Sequence, residues 1–467
     1  MSKTLLKNIA WSAYGVVLNQ IITFITLIVL IKHLTPSDFG LVNMVIIIAG
    51  FANTLSDFGF GQALIQYKEA STIDYSTVFW FNLFLGISIS TTLFLFSSLI
   101  SSFYGNTLLI PITKLLSIKY IFSSAIIVHK IYIQKNLNFR LNANIDIFVN
   151  ILTSLLTVIA VYLGFGYWSL VLQTVSESIF AMLLFSIYVK WKPTFKFSIS
   201  SFKKLSKFSI DVFLNQSFFY WTANLDKILI GKYLGDFSLG IYKNAFSVIN
   251  KPISILSSTL LRVLFPSYSM LQNNITELRS IVLKLFKTIA IIVIPTCTIL
   301  YLSADFIIRN YLSNEWTQSI PLVKIFSIAA IPFAFSSITS PVYLALGKSR
   351  LILFINLITR SILILLTYLA LQKGLNAIAY VLLFINIIRL IIDIIQFRNI
   401  LKIKDIKFKF GLKINNLSLV SLSLILTTYL INNQINSIFE LSFLLVITYS
   451  LVFISLYTSY KKWSKST

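Results

Sequence analysis

Lys119, Lys251, Arg262 and Arg360 lie inside long apolar stretches of this chain. A charge in such a setting is costly unless it meets an anion, water or a partner. Carboxylates occur in similar settings at Asp57, Glu177 and Asp226, and amides at Asn19 and Asn215. Arginine grips phosphate oxygens with a planar fork and lysine attracts them as a point charge. Because deep cations outnumber deep anions, the set suits a phosphate-bearing ligand better than a cationic one. The acids could take up a coupling ion, H⁺ or Na⁺. The neutral members have a plainer use as hydrogen-bonding glue between helices, worth ~0.6–2 kcal/mol each.

The elements that must position these groups are set by composition. The chain has 467 residues, 57% hydrophobic and only 12% charged. Long apolar runs follow one another, so the reading is an all-α polytopic membrane protein. The runs are too long and too continuous for the short alternating strands of a β-barrel. About fourteen spans are expected, at 9–31, 39–57, 77–101, 108–128, 145–164, 167–189, 208–230, 238–264, 284–302, 320–346, 351–371, 375–397, 417–431 and 438–457. The first run follows Lys3 and Lys7 as a signal peptide would, but it is too long for a cleaved apolar region and lacks a small-residue cleavage site.

The formal net charge of +24 would point to nucleic acid in a soluble chain, but here position explains it. Alternate connections collect the cations, including "KWKPTFKFSISSFKKLSK" at 190–207, "RNILKIKDIKFKFGLK" at 398–413 and the tail "KKWSK". The other set holds only Lys32, Lys232, Arg309 and Lys373. By the positive-inside rule both termini are expected in the cytoplasm. The basic loops are expected to meet anionic headgroups. The longest outward connection is read around "SADFIIRNYLSNEW" at 303–316, too short for a catalytic domain. No phosphate-binding glycine loop or HExxH is present, and "LGKSR" at 346–350 lacks the upstream glycine. His33 and His129 lack companions at metal-ligand spacing and read as loop residues. No cofactor and no nucleic acid is expected, and a non-enzymatic role is favoured. The lone cysteine, Cys297, precludes an intrachain disulfide.

"VLNQ" at 17–20 recurs as "FLNQ" at 213–216, an offset of 196 residues. "HLTPSDFGLVNM" at 33–44 lies over "YLGDFSLGIYKN" at 233–244, an offset of 200, with Gly40 over Gly240. Two ordered matches suggest an internal repeat. Six spans separate the copies, so they share one orientation and form parallel repeats. The expected organisation is a six-helix bundle at 1–189, a basic linker at 190–207, a second bundle at 208–397, a basic loop at 398–416, and two extra helices with a tail at 417–467. At ~100° per residue, polar groups collect on single faces. These are Asn8, Ser12, Asn19, Thr23 and Thr26 in the first span, and Asn43, Gly50, Thr54 and Asp57 in the second. Asp211, Asn215, Thr222 and Asp226 share a face of the seventh, and Asn244, Lys251, Ser258 and Arg262 one of the eighth. Pro252 is expected to kink the eighth span. Arg389 and Asp393, spaced i, i+4, are expected to pair on one helix.

"DFGFGQALIQ" at 57–66, "IQKNLNFR" at 133–140, "NLDKILIGKYLGDFSLGIYKNAF" at 224–246 and "VLFPSYSMLQNNITELR" at 263–279 carry a resemblance. Together they resemble the polysaccharide-transport branch of the MOP superfamily, the Wzx-type and especially WzxC-like flippases, over roughly the first 400 residues. The resemblance implies two six-helix bundles around a central cavity and alternating access. It implies transfer of an undecaprenyl-diphosphate-linked oligosaccharide to the outer leaflet, with membrane lipids and a polysaccharide polymerase machinery as partners. It also implies cavity-lining positions for Asp57, Asp226, Lys251 and Arg262. Two rivals are a multidrug exporter of the same superfamily, which would favour an acidic cavity, and a membrane glycosyltransferase or polymerase, which would need a large outer loop with catalytic carboxylates. A third is a non-transporting scaffold.

Overall fold

A computed structural model describes residues 3–400 apart from Lys68 and Asn273. The side chains of 3–10 and most of those at 252–270 lie outside that description, as does all of 401–467. The expected spans at 417–431 and 438–457, the tail, and most of the 398–416 loop therefore lie outside the described residues.

The described regular structure is entirely helical. In chain order the helices are α1 (Lys3–His33), α2 (Pro36–Ala49), α3 (Phe51–Asp57), α4 (Phe60–Gln66), α5 (Thr72–Leu95), α6 (Ser97–Tyr104), α7 (Leu109–Lys135) and α8 (Phe139–Tyr162). They continue with α9 (Trp168–Tyr188), α10 (Ile199–Met270), α11 (Ile275–Tyr311), α12 (Ser319–Ala345), α13 (Ser349–Ala370) and α14 (Leu375–Ile400). Ten helical stretches among the described residues are long and apolar enough to cross a bilayer. α10 is not among them, although it carries the seventh and eighth expected spans. Its amides and charges, Asn215 to Lys251, explain why: they dilute the apolar run that membrane insertion reads.

Local chemistry fixes the helix starts. Thr35 and Ser71 build capping boxes with Asp38 and Asp74, each side chain bonding the other residue's backbone N–H at the head of α2 and α5. α10 is two helices in sequence that meet at a kink at Gly235, the one residue within it with non-helical backbone, at φ 82° and ψ −180°. Only glycine adopts that conformation without strain. The expected bend at Pro252 is not a break; the helical backbone runs through it.

Two sequence expectations are corrected. The connection at 303–316 is not a loop, because α11 runs to Tyr311 and a 3₁₀ turn, Asn314–Gln318, follows at once. Asp305, four residues before Arg309, pairs with it within the helix at 3.8 Å. His129 is not a loop residue either: α7 continues past 128 to Lys135, and His129 is buried with Nδ1 3.0 Å from the carbonyl oxygen of Ala125. The basic residues around it look like a connection in one dimension. They extend the helix, because Lys130 has Asp146 of α8 at 3.0 Å and Lys135 donates to the carbonyl of Leu64 at 2.9 Å. His33 is the last residue of α1.

The chain divides into two units between Ile241 and Tyr242. In the first, α5 packs on α7, α7 on α9, α9 on α8 and α8 on α1. Its core includes Phe60, Tyr75, Phe79, Val128, Phe185 and Trp191. In the second, α12 packs between α11 and α14, and α14 also meets α13. Tyr268, Val282, Tyr343 and Phe397 form part of that core.

Candidate functional site

The second expected span, 39–57, is built as two helices, α2 and α3, and α4 follows at once beyond its end. α2 gives way to α3 at Gly50, and α3 to α4 through Phe58 and Gly59, both left-handed, at φ 46° and 77°. A left-handed phenylalanine costs ~1–2 kcal/mol. Here it is held by stacking on Phe213, with ring centroids 4.4 Å apart and planes 15° apart. Broken backbone within a membrane must be satisfied by protein. The Tyr120 hydroxyl on α7 donates to the carbonyl of Ala49, and the Tyr220 hydroxyl on α10 to that of Ile47, both beside the Gly50 joint. At the second joint, Asp57 Oδ1 accepts from the N–H of Gly61 at 2.9 Å and so caps α4. The motif "DFGFGQALIQ" thus encodes a helix joint, and its carboxylate is engaged by backbone.

Other expected site residues of the first unit have distinct surroundings. Asn19 is half-buried on α1 and meets α8: Asn150 Nδ2 donates to its Oδ1 and to its backbone carbonyl, both at 3.0 Å, and to Thr23 Oγ1 at 3.2 Å. That is the helix-glue use of an amide. Lys119 on α7 is half-buried over the Tyr120 ring, 5.9 Å from its centroid, and feels the charge of Glu177, which is exposed on α9. Asp226 is buried, 6% exposed, and lies 3.3 Å from the ammonium of its neighbour Lys227. Asn215 and Asp211 are exposed on the same helix, so the expected stripe of the seventh span runs from exposed to buried along its length.

In the second unit Lys251 is exposed on α10 and Arg360 is half-buried on α13. The side chains of Arg262 and Ser258 lie outside the described residues. Asn244 is buried, at 8% exposure. The expected pair forms: Arg389 Nε donates to Asp393 Oδ2 at 3.2 Å. Asp393 is wholly buried, and the Tyr343 hydroxyl donates to its Oδ1 at 3.1 Å. Arg389 also donates to Asn356 Oδ1 on α13. Every strong group of this network is spoken for, which suits a structural clamp joining α12, α13 and α14. Lys324 on α12 pairs with Asp305 of α11. Tyr120, Tyr220, Asn150 and Tyr343 were not legible as partners in the sequence, since each acts on a residue 50 or more positions away.

Outside the spans, the Lys204 ammonium sits over the Tyr67 ring, 3.5 Å from its centroid, and the Tyr67 phenol holds it above the usual lysine range. Among the described residues no cluster of His, Cys, Asp and Glu could hold a metal ion.

A family model described as "Polysaccharide biosynthesis protein" matches residues 29–321. The chain belongs to the polysaccharide biosynthesis protein family. The matched region of this family member runs from the end of α1 into the start of α12 and contains the joints between α2 and α3 and between α3 and α4. Membership bears out the resemblance carried by the motifs. The chain is 26% identical over 353 residues to the teichuronic acid biosynthesis protein TuaB of Bacillus subtilis (strain 168), covering 75% of this chain and 73% of that one. It is also 26% identical over 351 residues to the lipopolysaccharide biosynthesis protein WzxC of Escherichia coli (strain K12), covering 73% and 69%. In fold it is similar to the lipid II flippase MurJ in an inward closed conformation. There the TM-score is 0.72 at 14% identity, covering 97% of this chain and 99% of that chain.

Proposed function

We propose that this polysaccharide biosynthesis family member is a flippase. It translocates a polyprenyl-diphosphate-linked oligosaccharide, a precursor of cell-surface polysaccharide, across the cytoplasmic membrane by alternating access. The observation that carries this reading is the likeness to TuaB and WzxC, over about three quarters of this chain, in a protein whose described residues include ten membrane-length helical stretches. Carrying a diphosphate and several sugars across a ~30 Å hydrocarbon core requires polar and cationic groups at depth. Lys119, Lys251, Arg262 and Arg360 are assigned to the anionic headgroup. Asp226 and Glu177 are the better candidates for coupling to an ion, since Asp57 is engaged in capping α4. Fourteen spans, two of them beyond the described residues, parallel six-helix repeats and cytoplasmic termini complete the proposed topology. Contacts with a polysaccharide polymerase machinery belong to the same reading.

The test is deletion of the gene in its host, followed by analysis of lipid-linked intermediates. A flippase predicts complete oligosaccharide on the lipid carrier, held on the inner leaflet and closed to a membrane-impermeant probe added to spheroplasts. Incomplete glycan would instead assign the protein to sugar assembly.

A further inference from the structure

The segment that joins α9 to α10 is pinned in place. Thr194 donates its N–H to Ser76 Oγ at 3.1 Å, and Ser198 donates its N–H to Thr77 Oγ1 at 3.1 Å. The Trp80 indole N–H donates to the Thr194 carbonyl at 2.8 Å. Trp191, 6% exposed, is set among the rings of Tyr75, Phe79 and Tyr132. Pro193 restricts the backbone between these anchors. An 18-residue basic stretch that composition alone would leave as a loose linker is therefore a fixed strap on the head of α5.

What the strap turns outward is specific. Phe195 is 92% exposed, although its ring stacks on Trp80 with centroids 5.1 Å apart. Phe197 and Ile199 are exposed beside it. Lys190, Lys192, Lys196, Lys203 and Lys207 are all exposed, and no acidic residue occurs from 190 to 210. Lys204 sits over the Tyr67 ring at 3.5 Å, and Lys192 donates to the carbonyl of Ser186 as well as facing outward. The strap begins just after α9, an apolar span that ends at Tyr188, so it lies at headgroup depth.

We propose that residues 190–210 form a docking surface for anionic phospholipid headgroups of the leaflet at which α9 ends. The rings of Phe195 and Phe197 enter the boundary between headgroups and acyl chains, and the five lysines meet lipid phosphates. Pinning makes the site pre-organised, so little freedom is lost on binding. The same segment continues into α10, whose Ser209 carbonyl would lie 2.4 Å from a Cβ on Gly59. Lipid held on the strap therefore anchors the start of α10 against the joint between α3 and α4.

The experiment titrates the purified full-length chain with equimolar phosphatidylglycerol and phosphatidylcholine and counts retained lipids by native mass spectrometry. The wild type is expected to retain phosphatidylglycerol with at least ~10-fold preference. The five-fold variant Lys190→Gln, Lys192→Gln, Lys196→Gln, Lys203→Gln, Lys207→Gln is expected to lose most of that preference, while arginine at the same five positions preserves it. Millimolar inorganic phosphate is expected to leave retention unchanged, since the acyl boundary is part of the site. An unchanged preference in the glutamine variant overturns the proposal, as does full displacement by phosphate. A photoreactive amino acid at position 195 provides a second readout in intact cells: adducts to phospholipid support the proposal, and adducts confined to protein overturn it.

Discussion

Gly40 and Gly240 cross backbone to backbone. A Cβ on Gly40 would lie 1.8 Å from the carbonyl oxygen of Asp236, and a Cβ on Gly240 would lie 1.9 Å from that of Pro36. The relation is reciprocal, since each glycine meets the residue four positions before the other. These are also the two glycines that the 200-residue offset superposes. A contact that maps onto itself under the repeat supports the proposed pseudo-symmetry of the halves, and small residues permit such close approach between membrane helices.

Alanine at Gly40 or at Gly240 should therefore push apart two backbones that have no flexible side chain to yield. The expected cost is ~1–3 kcal/mol for each substitution. It should appear as a lowered unfolding temperature of the purified protein, with Ser200→Ala, on the exposed start of α10, unchanged.

Tyr120→Phe and Tyr220→Phe each leave a carbonyl at the Gly50 joint without its hydroxyl donor. Each should cost ~0.5–1.5 kcal/mol. Proteolysis or hydrogen exchange should show the loosening concentrated at 46–54, and an even effect across α7 would argue against a local role.

Asp393→Asn or Arg389→Gln leaves half of a buried ion pair. A loss of ~3–5 kcal/mol is expected from either. The double change Arg389→Met with Asp393→Leu should recover much of it, because no uncompensated charge remains. Equal damage from the double change in a thermal melt would mean that the pair does more than clamp helices.

Asn150→Ala separates glue from transport. Loss of its bonds to Asn19 and Thr23 should cost ~0.6–1.7 kcal/mol of stability. Flipping, scored by surface polysaccharide in cells, should stay near the wild-type level. A transport defect without a stability defect would return Asn19 to the substrate path.

Lys251→Gln combined with Arg360→Gln should do the reverse. Protein level and unfolding temperature should hold, while lipid-linked oligosaccharide accumulates on the inner leaflet. Normal polysaccharide output from the double variant would remove both cations from the proposed headgroup route.

The sequence by itself determined what depends on neighbours along the chain. A helix crossing a bilayer needs ~20 apolar residues in succession, so the apolar runs marked where helices form. Arg389 and Asp393 were legible as a pair because i, i+4 is a distance fixed by the helix itself. The capping boxes of Thr35 with Asp38 and Ser71 with Asp74 are local for the same reason. The tertiary structure decided whatever depends on which faces meet. Asn19 was one polar residue in a stripe until α8 brought Asn150 against it, and Asp57 became a cap only because the chain reverses hand at Phe58. His129 and Trp191 read as loop residues in one dimension and proved to be core, since burial is conferred by distant rings. Periodicity tells which way a side chain points; what stands opposite is set by packing between segments 50 or more residues apart.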